Sequence, residues 1–283
     1  MGMKMKKIRR KGIKGSLSVL FAVILSLSAA VTGKAYDETG QTTGAKAAAG
    51  TEMSAQPEIP LSFDVQRFIL PEEARVLVVV EGTGGSECRV CVYERPDEEN
   101  DIWELRFCVP GKLGKNGMSN NRVAGDKTTP IGVFEMDTPF GQGEPLEGFP
   151  ENYVKVTADY VWADETNRLE PYSDGEGERV GTKKYKGSYE YVLNAGYNKN
   201  AIEKKGTALF LHCDIGKKGG SAGCVRIPRE QMIEVMRLYG AYGDGACFIA
   251  QAPWGTFSLI YDTFGANFGL SPEGDFTGPQ SAN

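Results

Sequence analysis

Three β-rich runs follow one another early in the chain: Arg75–Glu81, Cys88–Arg95 and Ile102–Val109. Only Gly, Pro, Asp and Asn clusters separate them, so they read as successive antiparallel strands. Further on, Thr129–Phe134 starts another strand, Tyr153–Trp162 belongs to one, and Tyr189–Asn194, Ala208–Cys213 and Ala246–Ala250 are short and apolar enough to be buried strands. Loops are expected at 111–126 and 137–152, and a long polar insertion at 164–187. One helix stands out. Pro228 suits its first turn and Gly240 its stop, and Met232, Val235, Met236 and Tyr239 recur at helical spacing on one face between them. The expectation is a mainly β (α+β) domain with one or a few helices, without the βα alternation of a parallel sheet.

The first 35 residues differ from the rest. They hold eight Lys/Arg and no acid, an apolar run from Leu17 to Val31, and small residues Gly33 and Ala35 at the spacing of a cleavage site. That is the layout of a secretory signal peptide, with an uncleaved signal anchor as the alternative. The apolar run falls short of the about 20 residues that a membrane span needs. Residues 36–60 are small and polar and read as a flexible linker. A globular domain is expected over 61–253, followed by a 254–283 tail to which no role is assigned. Without residues 1–35 the chain has 24 bases against 37 acids, a net of −13. Such a surface speaks against nucleic acid or anionic lipid as a partner, and the expected location is extracytoplasmic.

Six cysteines, an even number, in an exported chain invite a disulfide framework. The chain is long enough to build an ordinary core, so the set need not be fully paired. Cys88 and Cys91 have the spacing of a redox pair, but they sit within a strand pattern and are expected on opposite faces.

The chemistry converges on His212, the single histidine of the chain. Multi-histidine metal sites are thereby excluded, and no cofactor is expected. Twelve residues on stands Cys224, in the run Ser221-Ala222-Gly223-Cys224-Val225-Arg226. A thiol attacks carbonyls as thiolate, and an imidazole is the usual device that makes it so. Gly223 permits a tight turn that exposes amides, and the helix starting near 228 would lower the thiol pKa if its positive end pointed at Cys224. Cys213 follows His212 directly and should face the other way along the strand. Residues 219–223 also match the G-x-S-x-G nucleophile elbow, but that fold needs its histidine after the serine, and His212 lies before it.

His212 with Ser221–Arg226, the upstream Lys127–Phe134 and the Tyr189–Asn198 segment, in that order, resemble the signature segments of the L,D-transpeptidase catalytic domain family (YkuD-like). The resemblance covers roughly residues 75–250 and departs in having Ala222 where many members carry His, and in a shorter His-to-Cys spacing. It implies an L,D-transpeptidase-like β-sandwich of mixed sheets. It implies Cys224 as nucleophile, His212 as base, the amides of Ala222, Gly223 and Cys224 as oxyanion hole, and Ser221, Arg226 and Tyr197 as substrate-binding residues. The implied partners are peptidoglycan stem peptides, a tetrapeptide donor and an amine acceptor. The implied reaction is acyl transfer through a Cys224 thioester that forms or remodels cross-links. Two alternatives stay open: an L,D-carboxypeptidase or other cysteine hydrolase of a wall linkage, and a non-catalytic peptidoglycan-binding module.

Overall fold

The computed structural model describes residues 60–96 and 102–264. The expected signal peptide, the linker up to residue 59 and the tail beyond 264 lie outside the described residues.

Ten strands form one mixed sheet: β1 (Val76–Gly84), β2 (Glu87–Glu94), β3 (Glu104–Lys112), β4 (Gly132–Glu135), β5 (Asp137–Gly141), β6 (Val154–Lys155), β7 (Val192–Asn194), β8 (Phe210–Cys213), β9 (Val225–Ile227) and β10 (Cys247–Pro253). Their order is β4-β10-β1-β2-β3-β9-β8-β7-β5-β6. Met136 alone joins β4, one edge of the sheet, to β5, the neighbour of the other edge. Consecutive Cα atoms are about 3.8 Å apart, so the sheet must curl until its two ends nearly meet. The expected sandwich of mixed sheets is thus one continuous mixed sheet bent back on itself. A smaller sheet of Tyr160–Ala163, Arg168–Pro171 and Gly177–Glu178 lies within and beside the expected polar insertion.

Strand β1 shows why the early runs are so apolar. Val76, Val78 and Val80 enter the main core, while Leu77 and Val79 enter a second core with Phe68, Phe257 and Tyr261. A strand buried on both faces reads as an unbroken apolar run, here Val76-Leu77-Val78-Val79-Val80. Residues 254–264, the start of the expected tail, cover that second face, and Ile69 N–H donates to the Tyr261 carbonyl at 2.7 Å. β1–β2 and β2–β3 are antiparallel, as expected, and β1–β10 is parallel.

Cys88 faces the main core and Cys91 the second, so they do not pair. Cys91 lies opposite Cys108 across β2–β3, and these two form a disulfide with Cα atoms 4.0 Å apart. Cys88, Cys213, Cys224 and Cys247 are free and buried.

Helix α1 spans Arg229–Tyr242, with Pro228 at its N-cap, and buries Met232, Val235, Met236 and Tyr239 as the spacing predicts. Gly240 is not its stop. A Cβ there would stand 2.3 Å from the Gly148 carbonyl oxygen, so this glycine admits the 148–150 loop against the helix. The helix ends at Gly243, whose φ of +80° suits a residue without Cβ. Two strands of the ten-stranded sheet escape the sequence pattern: β5, in the expected 137–152 loop, and β9, three residues directly after Cys224.

Candidate active site

β8 and β9 run parallel and adjacent, with Leu211 opposite Val225 and His212 opposite Arg226. Leu209, Leu211, Cys213, Val225 and Ile227 point into the main core. Alternation therefore places Phe210, His212, Cys224 and Arg226 together on the other face. Cys224 packs there with Phe210, Tyr189 and Ala208. Its thiol donates to the Ala208 carbonyl and accepts from Phe210 N–H, both at 3.4 Å.

His212 Nδ1 lies 3.0 Å from the Cys213 carbonyl and 3.1 Å from that of Ser188. Two acceptors at one nitrogen assign the hydrogen to Nδ1 and leave the Nε2 lone pair free in the neutral ring. Among the described residues no hydrogen bond joins His212 to Cys224. Tyr189 links them instead: it packs with Cys224, and its ring meets the imidazole edge-on at 5.0 Å. Tyr185 stacks on Tyr189 at 4.5 Å, and the Tyr189 hydroxyl donates to the Glu178 carboxylate.

The electrostatics follow from burial. Burial, and then the charge of Glu178, push the Cys224 thiol up to about 12, against weaker pulls from the Phe210 amide and Arg122. Burial holds His212 down to about 4; the Cys213 carbonyl opposes this and Arg226 adds to it. Glu178 is raised by its own burial. In this conformation the pair is thus a neutral thiol and a neutral imidazole. The expected help from the helix does not reach the thiol. β9 separates Cys224 from α1, and three extended residues span roughly 10 Å, whereas the helix dipole acts within about a turn.

The turn before Cys224 is built from side-chain bonds to backbone. Ser221 Oγ accepts from Gly223 N–H at 2.9 Å and donates to the Cys224 carbonyl at 2.5 Å. Expected to line the substrate pocket, Ser221 instead spends its hydroxyl within the turn. It also occupies the Gly223 amide that was expected in the oxyanion hole. Gly223 has φ +145°, and a Cβ there would come within 2.7–2.8 Å of Arg122 Nη1, Leu209 Cδ2 and the Thr128 carbonyl, so no other residue fits without rearrangement. Arg226, also expected in the pocket, is buried. It reaches the Gly219 carbonyl, the Lys217 carbonyl at 3.4 Å and Asp214 at 3.6 Å, clamping the loop between His212 and Ser221. Tyr197, the third expected pocket residue, is a core residue packed edge-on against Phe134 at 5.6 Å.

Four residues of the site carry no role in the sequence reading. Thr129, fully buried, donates to the Gly223 carbonyl at 2.7 Å and accepts from Gly114 N–H at 2.8 Å, pinning the turn to the end of β3. Arg122 donates to the Thr128 carbonyl beneath Gly223 and pairs with Asp126 at 3.3 Å. Asn167 accepts from Trp162 Nε1 at 2.7 Å and from Ala208 N–H at 3.1 Å, tying the small sheet to the strand beside Cys224. Glu178 sits in the stretch that reads as a polar insertion. Thr129 falls inside the Lys127–Phe134 motif, which marked the segment but not the bond; nothing in the sequence marks Glu178.

The family model of the L,D-transpeptidase catalytic domain, YkuD, matches residues 78–240, and the chain belongs to that family. The match runs from β1 through α1 and takes in both His212 and Cys224. No curated protein and no solved structure matches the chain. Among the described residues no group of three His, Cys, Asp or Glu is placed to hold a metal ion.

Proposed function

We propose that this protein is an exported cysteine acyltransferase that forms or remodels peptidoglycan cross-links, with Cys224 as nucleophile and His212 as base. The observation that carries the reading is the shared face: family membership supplies the reaction class, and parallel β8 and β9 present the thiol and the sole imidazole on the same side. The free Nε2 of a neutral ring suits a base that takes the thiol proton as Sγ attacks, without a preformed ion pair. The thioester then forms as the leaving amine takes that proton back from His212, and the acceptor amine resolves it. The amides of Ala222 and Cys224 are the proposed oxyanion donors; that of Gly223 joins them when the Ser221 hydroxyl lets go. Substrate must first displace the cover over the thiol, where Tyr189 lies with Tyr185 stacked on it. The Cys91–Cys108 disulfide supports an oxidising, extracytoplasmic location.

One observation favours a second reading. The thiol is buried and its pKa raised, as for a structural cysteine, which suits a module that binds wall peptides without turnover. Incubation with tetrapeptide muropeptides and with a carbapenem, read by mass spectrometry, separates the two. Acyl transfer gives D-Ala release with a cross-linked dimer and a carbapenem adduct on Cys224, both lost in Cys224→Ala. D-Ala release without a dimer indicates a carboxypeptidase. Neither product nor adduct leaves the binding module.

A further inference from the structure

One carboxylate grips the cover over Cys224. The Tyr189 hydroxyl donates to Glu178. Tyr185, stacked on Tyr189 at 4.5 Å, turns its own hydroxyl to the same carboxylate. The Tyr189 ring packs against Cys224 and meets His212 edge-on at 5.0 Å, so it touches both members of a pair that do not bond each other. Gln142 fixes both ends of the segment that carries Tyr185. Its Nε2 donates to the Val180 and Thr182 carbonyls at 2.8 and 3.0 Å, and its N–H donates to the Tyr189 carbonyl at 2.8 Å. Between these anchors no residue of 183–188 is buried. Segments with little buried area open most readily, so this part of the cover can lift while its ends stay fixed.

Glu178 has no part in the acyl-transfer steps. Its burial raises its carboxyl; Tyr189, Lys184 and Tyr185 oppose this, and Asp164 adds to it. A carboxylate so placed is costly unless donors face it, and two of the donors here are the cover itself. After burial, the Glu178 charge acts most strongly against a Cys224 thiolate, whereas the Tyr189 hydroxyl acts in its favour. A tyrosine has one O–H to give, so the carboxylate and the sulfur compete for it. While Glu178 holds that hydroxyl, the sulfur keeps the Phe210 amide at 3.4 Å as its donor.

Given Cys224 as the nucleophile of the reading above, on which this assignment rests, we propose that Glu178 is a positioning residue that holds the site closed. Through Tyr189 and Tyr185 it keeps the cover over the thiol, and it withholds the Tyr189 hydroxyl from the sulfur until an entering ligand breaks the pair.

The test is the reactivity of Cys224 toward methyl methanethiosulfonate in the full chain, read at each cysteine by mass spectrometry. Glu178→Gln keeps the shape and removes the charge. Near pH 8 it should speed Cys224 by about tenfold, the equivalent of one unit of thiol acidity. Toward pH 5 the raised carboxyl of the parent takes up its own proton, while His212 stays neutral until pH about 4. Parent and variant should therefore converge there, to within about threefold. A general loosening would speed Cys224 alike at both pH values and would expose the buried Cys88, Cys213 and Cys247. Tyr185→Ala, at a half-buried position, is the second arm: it removes the stacked ring and should speed Cys224 by roughly threefold or more, with those three cysteines still protected. An unchanged rate in either variant, a gap as wide at pH 5 as at pH 8, or equal acceleration at the other cysteines overturns the proposal. If the rates behave as stated but no carbapenem adduct or muropeptide product forms, the acyl-transfer reading falls and the closure by Glu178 stands. Adduct and product without these rate changes remove the closure alone.

Discussion

β1, β2 and β3 run eight or nine residues each, whereas β7, β8 and β9 run three or four, and the two regions are held differently. Of the long strands, β1 and β2 are fixed by buried area, while β3 is largely exposed. β1 is buried on both faces, and a disulfide ties β2 to β3. The short strands are buried as well, but individual bonds hold the turns and loops that adjoin them: Thr129 to Gly223, Ser221 to its own turn, Arg226 to the Gly219 carbonyl, Asn167 to Ala208. Apolar packing is tolerant and built from many small contacts. A buried backbone group held by one hydroxyl has no substitute. Short strands with long connections allow the chain to set a thiol in a tight turn, and specific polar contacts then take over what strand length supplies elsewhere.

If this contrast is right, damage to the long-strand region should be the larger in stability and indifferent to the chemistry. Leu77 is fully buried in the second core. Leu77→Ala should cost about 2–5 kcal/mol, read by urea unfolding, while the folded fraction keeps its adduct rate at Cys224. A rate that falls with the folded protein intact would mean that the two regions are mechanically coupled.

Next in size is a pH effect confined to the short-strand region. His212 takes up a proton only near pH 4 when folded, but near 6.5 when unfolded. The neutral ring's contribution is therefore complete above pH 6.5 and is lost as pH falls toward 4, amounting to about 3 kcal/mol at 1.36 kcal/mol per unit. Glu178, raised when folded, works in the opposite direction as pH falls. The histidine effect is thus the difference between the unfolding free energies of the parent and His212→Asn across pH 7 to 4.5. A parallel pair of curves would show that the imidazole is not buried as described.

Thr129→Val keeps the shape and removes the hydroxyl, leaving Gly114 N–H and the Gly223 carbonyl without their partner. The expected loss is about 1–3 kcal/mol. Because the turn that carries Cys224 is released, the carbapenem adduct rate should also fall, by roughly ten- to a hundredfold. Stability lost with an unchanged adduct rate would place this residue among the tolerant contacts.

The same division explains what could be read from the sequence. The long strands were visible because burial imposes apolar runs, and the buried face of α1 because packing imposes its spacing. The nucleophile and base stood out because the chain has a single histidine and a glycine-cysteine turn near it. β9 was missed because three residues carry no periodicity, and β5 because its segment is interrupted by Pro139 and bounded by Gly141. Arg226 and Ser221 were expected in the pocket because the family resemblance implies it, and a motif does not state whether this turn has already taken up their bonding capacity. Glu178 was hidden in a segment of polar composition, since only the fold brings it to Tyr189. The helix stop fell on Gly240 because a glycine required by a neighbouring loop and one required by a positive φ look alike in sequence.

Ser221 gives the finest test, since sequence and structure assign it different work. A substrate-lining hydroxyl would, on removal, weaken ligand capture and leave the turn alone. The hydroxyl seen here accepts from Gly223 N–H and donates to the Cys224 carbonyl, so its loss should loosen the turn by about 1 kcal/mol. It should also free the Gly223 amide, which the proposed oxyanion hole can then use at once. These effects on the adduct rate oppose each other: a looser nucleophile lowers it, and a released donor raises it. Ser221→Ala should therefore fold, form its carbapenem adduct on Cys224, and do so within about tenfold of the parent rate, with the change in the limiting inactivation rate and not in the concentration for half-maximal rate. A change confined to that concentration would return Ser221 to the pocket. Loss of the adduct, with Cys224→Ala still acylated, would mean that the nucleophile is the serine.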